Sequence, residues 1–173
     1  MSATQFRALT RWMENPTVRM QPKFVLTSSI VLPRRLSSAE GTQGSGALHS
    51  DSWDGYPRSL HALLKHVCDK QVDRLVFLSG DEHVGCDATI TVRRRRDGRS
   101  ARFRSVHCPA LYAPYPFANS IPADFKFPDK FDFDDAESGD SYRCTVEAEF
   151  HGASDGFAIV SARDDGSLRV SFR

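Results

Sequence analysis

The residues best suited to chemistry in this chain lie in one short run, Leu75-Val76-Phe77-Leu78-Ser79-Gly80-Asp81-Glu82-His83. An apolar stretch stops at a glycine, and a carboxylate and an imidazole follow two residues apart. Carboxylate oxygen and imidazole nitrogen both suit divalent ions of the zinc, iron and manganese type. Open α/β sheets bind ligands beyond the carboxyl ends of their strands, and a glycine there lets the backbone turn sharply. In extended backbone, positions i and i+2 project to the same side. Asp81 and His83 are therefore predicted to face one metal cluster, with Glu82 pointing elsewhere and without a role. The same tetrad also suits a plain turn in which Asp81 caps the following segment, and spacing alone does not choose between the two. Ser79 is not a nucleophile elbow, because the G-x-S-x-G pattern is missing.

Three other groups of residues compete for attention. Trp53, Asp54 and Tyr56 could line a cleft, with Asp54 as an acceptor that orients a ligand; they could equally brace the start of a helix, with Trp53 on the core. His83, Cys86, His107 and Cys108 count four nitrogen or sulfur donors, enough for a tetrahedral zinc, but His107 and Cys108 are strand neighbours that point to opposite faces. Arg93 to Arg96, with Arg99, Arg102 and Arg104, form a basic hairpin. Such a hairpin could contact phosphate or nucleic acid. Alternation leaves only half of the arginines on either face, and a charge-guarded edge explains them as well. The acidic run 129–140 lacks the ligand spacing of an EF-hand and is read as solvated loop.

The elements that must position these groups follow from periodicity. Phe6, Leu9, Trp12 and Met13 recur at helical spacing, so a short helix is predicted over 4–14, ended by Asn15-Pro16. Residues 23–32 read as a buried strand. A Gly- and Ser-rich surface loop covers 37–50. Pro57 opens a helix over 57–69 whose Leu60, Leu63, Leu64 and Val67 make one apolar face. A second buried strand spans 74–79. Beyond it, Asp97-Gly98 marks a hairpin, a loop rich in proline and aromatics covers 109–135, and strands are expected near 142–150, 156–162 and 167–173, the last two joined by a turn at Asp165-Gly166. His49 and His61 are placed on a loop and a helix surface.

The bulk numbers constrain the class. The chain has 173 residues, 40% hydrophobic and 26% charged, as expected of one ordinary globular domain spanning 1–173. Its formal net charge of +1 gives no overall attraction to nucleic acid or acidic membranes, so neither is expected as a partner. No stretch is long and apolar enough to span a bilayer, no apolar signal core follows the first residues, and the compartment is left open. Four widely spaced cysteines are too sparse for a disulfide scaffold and are read as buried thiols.

Four segments, in order, resemble one family. Ser79-Gly80-Asp81-Glu82-His83 after its apolar strand looks like the last metal motif of the alkaline phosphatase D-like (PhoD-like) metallophosphatases. Asp51-Ser52-Trp53-Asp54-Gly55-Tyr56-Pro57 resembles that family's D-x-W-D-G-Y segment, the run from Gln5-Phe6 to Trp12 resembles the helix before its buried strand, and Pro109 to Asn119 resembles its C-terminal region. The wider group is the calcineurin-like phosphoesterases, whose last motif is Gly-His-x-His. The resemblance implies that Asp81 and His83 are metal ligands. It also implies a centre of two divalent or trivalent ions (iron, zinc, manganese or calcium) and hydrolysis of phosphate mono- or diesters as substrates. The implied fold is α/β, of the α+β kind: the C-terminal part of an αββα two-sheet sandwich, its strands mostly antiparallel after residue 86. The family's earlier motifs, a D-x-H upstream of the last motif, G-D-x-x-D and N-H-D/E, are absent from the sequence. The chain is accordingly expected to be the C-terminal half of such a domain, with the upstream half as its missing partner. Its sheet should then expose the apolar faces of strands 23–32 and 74–79. The alternative is a non-catalytic β-rich module that binds a partner through the Arg93–Arg104 hairpin.

Overall fold

The computed structural model describes residues 1–39, 52–112, 120–151, 155–163 and 167–173. The chain is α+β. Helix α1 (Ala3–Met13) is opened by a capping box, in which Ser2 accepts from the Gln5 amide while the Gln5 side chain accepts from the Ser2 amide. These bonds satisfy two amide donors that a helix start leaves without partners. Strand β1 (Lys23–Leu26) is followed by the one-turn helix α2 (Leu36–Ala39) and, after a 3-10 turn at Trp53–Gly55, by α3 (Pro57–Asp69). Strands β2 (Leu75–Ser79), β3 (Cys86–Arg94), β4 (Ser100–His107), β5 (Asp129–Asp134) and β6 (Ser141–Phe150) complete one six-stranded sheet, and β7 (Ala158–Ala162) with β8 (Leu168–Phe172) make a separate hairpin.

The large sheet runs β1-β2-β4-β3-β6-β5. Its first two pairings, β1 with β2 and β2 with β4, are parallel. Everything paired beyond β4 is antiparallel, including the small hairpin, as expected after residue 86. The expected helix over 57–69 and the Asp97-Gly98 turn are both present. The two-sheet sandwich is a finer expectation that this six-stranded sheet and two-stranded hairpin do not by themselves establish.

One face of the sheet carries the core. Strand β3 alternates, with Ala88, Ile90 and Val92 fully buried and Asp87, Thr89 and Thr91 half-buried on the other side. Leu60, Leu63, Leu64, Val67 and Cys68 of α3 join the buried face, with Phe77, Phe103, Tyr142 and Cys144. Removing any one of the buried leucines to alanine would cost about 2–5 kcal/mol.

Several expectations need correction. Strand β1 is four residues long, not ten. The Thr27 amide bonds to the Leu78 carbonyl at 3.0 Å as the last rung, and once β2 ends at Ser79 the chain has nothing to pair with. Ile30, Val31 and Leu32 stay buried without being strand. Strand β2 is almost wholly buried, so only β1 exposes apolar side chains, with Leu26 81% and Phe24 36% exposed. The supposed acidic loop contains β5. Aspartate is depleted in strands, but here Phe131 and Phe133 alternate with it, and Asp132 lies opposite Arg143. His61 is not on the helix surface: it is half-buried and stacks on Phe133 at 4.6 Å between ring centres. The loop 40–51 with His49 and Asp51, the segment 113–119 and the Asp165-Gly166 turn lie outside the described residues.

Candidate functional site

Strands β1 and β2 are in register from Lys23 opposite Leu75 to Leu26 opposite Leu78, so they leave the sheet together at the same end. The segment that leaves β2 is not extended. Asp81 has φ 94° and His83 φ 55°. The alternation that was to aim the two side chains together therefore does not apply. Left-handed backbone costs a residue with a Cβ of order 1 kcal/mol or more, and it persists where surrounding contacts over-determine it. Nor is Gly80 the steric key, because a Cβ there would meet nothing within 4 Å. Of the two glycines in this segment, Gly85 is the one that fits tightly, since a Cβ there would come within 3.1 Å of His151 and 3.2 Å of Phe172.

Between the two left-handed residues, burial is reversed from the sequence expectation. Asp81 is exposed, His83 half-buried, and Glu82 buried. The Glu82 carboxylate takes Arg35 Nη2 and Ser120 Oγ, the latter at 2.6 Å, while Arg35 Nη2 also reaches Ser120 Oγ at 3.1 Å. The Ser120 amide donates to the Glu82 carbonyl at 2.9 Å. On the other side, the Glu82 amide donates to His107 Nε2 at 3.2 Å, and His107 Nδ1 lies 2.7 Å from Ser79 Oγ. Because a backbone amide can only donate, Nε2 carries the lone pair, and the proton sits on Nδ1, which donates to Ser79. Burial, reinforced by the nearby charges of His83 and Arg35, pushes the His107 pKa down to about 4. The imidazole is neutral at pH 7 and pins the turn. Neither Glu82 nor His107 was assigned this role from the sequence. The available clue was His107 opposite Cys86 at the foot of a hairpin that brings it back beside Ser79.

The Trp53–Tyr56 segment is both brace and wall. Trp53 Nε1 donates to Thr27 Oγ1 at 3.0 Å, and its ring meets Phe77 edge-to-face at 6.3 Å. Asp54 accepts from the Arg35 amide at 2.8 Å, so it steadies the residue that grips Glu82. Trp53 and Tyr56, with Thr27, Ser28, Ser29 and Ser52, line an open cleft of ≈ 330 Å³ at the end of β1. Its walls are mostly hydroxyls and aromatic rings, with Met1 and Gln5 also lining it.

Asp81 and His83 have the right donor atoms for a metal of the kind considered, but two donors do not make a centre. Among the described residues no group of three or more histidines, cysteines, aspartates or glutamates is placed to hold an ion. His107 has both ring nitrogens committed, and Glu82 is held by Arg35 and Ser120. The described residues therefore do not by themselves fit a two-metal group. The tetrahedral zinc arrangement fails as well. Cys86 is buried in the core, where burial raises its thiol pKa to about 12, and His107 is engaged. All four cysteines are free thiols, and three of them are buried.

The arginine hairpin is occupied by aspartates. Arg94 meets Asp97 at 2.5 Å and Asp69 at 3.1 Å. Arg95 and Arg143 share Asp132, at 2.7 and 2.9 Å, and their hydrogen bonds, Arg143's first, hold that carboxyl down at about 2. Arg96 meets Asp140 at 3.1 Å, and Arg104 pairs with Asp87. The charge that suggested an anionic partner is largely balanced within the molecule.

Neither a comparison with curated proteins nor one with solved structures gave a match. A family model did. The model described as PhoD-like phosphatase matches residues 1–142, from α1 through the whole β2 motif to the start of β6. That match covers most of the chain and includes the Trp53 segment, the Glu82 clamp and the Gly80–His83 turn, so the chain belongs to the PhoD-like phosphatase family.

Proposed function

We propose that this chain serves the hydrolysis of phosphate mono- or diesters, and that Asp81 and His83 give one carboxylate and one imidazole to a metal centre which other groups complete. The observation that carries this reading is the left-handed backbone at both residues, at the carboxyl end of the parallel strands. Among the described residues, two of the four non-glycine positions with positive φ flank the buried clamp, and strain of this kind clusters at ligand-binding segments. The family match supports phosphatase chemistry in general. Trp53 and Tyr56 would wall the side of the cleft that takes the alcohol part of the ester, while Asp54 acts at a distance by holding Arg35. The other ligands would come from beyond the described residues, which by themselves make a partial site.

The test measures bound metal and the hydrolysis of a generic aryl phosphate for the wild-type chain, Asp81→Asn and His83→Ala. The chain is expected to take up a first-row divalent ion, and each substitution is expected to weaken uptake by more than the ~10–100-fold typical of groups that only orient a ligand. Metal uptake indifferent to both substitutions would sink the assignment.

A further inference from the structure

The clamp beneath the turn has a shape that suggests a purpose. Glu82 is one residue from each of the two left-handed positions, and it is the residue of the three that is buried. Three segments distant in sequence converge on it, and a fourth supports one of them. Arg35 comes from the stretch after β1, Ser120 from the stretch before β5, and His107 from the end of β4, while Asp54, at the entry to α3, holds the Arg35 amide. Both polar parts of Glu82 are used: the carboxylate toward Arg35 and Ser120, and the backbone toward His107 through the amide and toward Ser120 through the carbonyl. A buried carboxylate costs free energy unless it is paired and hydrogen-bonded. A leucine here would fill the space more cheaply and keep the backbone bonds to His107 and the Ser120 amide, but it would lose the grip of Arg35 and of Ser120 Oγ.

We propose that Glu82 is a positioning residue, whose clamped carboxylate and backbone fix Asp81 and His83 in their left-handed conformations and so set where their side chains point. The inference rests on the reading of those two side chains as ligands, but its structural half stands without it. Glu82 itself touches no reacting atom. Arg35, Ser120 and His107 are the parts of the device that grip it, and Asp54 steadies Arg35.

The experiment compares wild type with Glu82→Ala and the isosteric Glu82→Gln by backbone 15N relaxation, together with titration by Co²⁺ alone. In wild type the amides of Asp81 and His83 are expected to show order parameters near the rigid value of about 0.85. In Glu82→Ala they should fall below about 0.6 while those of Val76 and Phe77 stay unchanged, with Glu82→Gln in between. A role confined to stability would lower the melting temperature and leave the order parameters at 81 and 83 where they were, and that result overturns the proposal. If Glu82→Ala fails to fold, the same reading is taken from Glu82→Gln and Arg35→Lys. In the second arm, the Co²⁺ affinity of wild type should drop at least tenfold in Glu82→Ala, as well as in Asp81→Asn and His83→Ala. A Co²⁺ signal that ignores Asp81 and His83 would refute their ligand role, and the relaxation result would still decide the positioning role separately.

Discussion

The two ends of the six-stranded sheet are built on opposite plans. At the β3–β6–β5 end the strands are antiparallel and many charges are paired within the molecule: Asp132 lies opposite Arg143, and Arg94, Arg95, Arg96 and Arg104 each meet an aspartate. At the β1–β2 end the strands are parallel, the edge side chains are Phe24 and Leu26, and the turn beyond them holds strained residues over a buried carboxylate. The first end is the more conspicuous in sequence, with its run of four arginines. The second has fewer charges, but those charges sit where the backbone is forced out of its preferred conformation. A cluster of charge says little about function until its partners are counted. Exposed pairs such as those of the hairpin contribute modestly and are screened by salt. Buried groups that hold a strained turn have no such ordinary explanation.

The sharpest way to break this contrast is through pH, because only the β1–β2 end depends on a deeply buried imidazole. An unfolded histidine titrates near 6.5, whereas His107 in the fold sits at about 4. Below about pH 6.5 the unfolded chain takes up a proton that the folded chain refuses. The stability that the neutral imidazole contributes is therefore complete above that value and is lost progressively toward pH 4. The shift corresponds to about 3 kcal/mol. Urea unfolding with a chelator present, from pH 7 to pH 4, should show a steeper acid loss for wild type than for His107→Gln. His61 and His66 are also held below their usual range by burial, but both are kept in the variant and cancel in the difference. Parallel pH profiles would mean that His107 is not the pin described.

At the other end the expected effects are small. Arg143 and Asp132 are each about half exposed. Arg143→Ala or Arg95→Ala should therefore move the melting temperature by less than about 2 °C. The same variants test the binding-module alternative. With most of its hairpin arginines paired, the wild-type chain is expected to show no retention on duplex DNA at roughly physiological salt. Binding that is present and lost on Arg95→Ala would put function at the hairpin and reverse the contrast.

What could be read in advance follows the same division. Periodicity placed α3 and the Asp97-Gly98 hairpin, because the leucine spacing and the turn residues act locally. The α+β class and the free thiols were legible for the same reason. Strand β5 was missed because its aspartates look like loop until Arg143 is known to stand opposite. The length of β1 was overestimated because Thr27 to Leu32 carry no charge and end in Ile30-Val31-Leu32, and only the end of β2 stops the strand. At the site, residue type and placement after an apolar strand were enough to nominate Asp81 and His83, but their left-handed conformation was not legible. It is set by Arg35, Ser120 and His107, which lie 47, 38 and 25 positions from Glu82. Nothing in local spacing carries contacts of that range. Glu82 was expected to point elsewhere because extended backbone was assumed where the flanking residues are left-handed.

The smallest predicted effect concerns the two edges themselves. Strand β5 is guarded, since Lys130, Asp132 and Asp134 point outward along it, and charge on an edge discourages pairing with another chain. Strand β1 offers instead Leu26 at 81% exposure and Phe24 at 36%. It is short, which limits the hazard, but nothing charged lies between Lys23, which is buried, and the end of the strand. Leu26→Lys should therefore change unfolding stability by no more than about 0.5 kcal/mol, because so exposed a side chain contributes little packing. It should nevertheless reduce self-association, measured by sedimentation across a concentration series. The matching substitution on the guarded edge, Lys130→Leu, should do the reverse. If both variants associate as wild type does, edge chemistry does not govern how this chain meets its own copies, and the asymmetry between the two ends is confined to the strained turn.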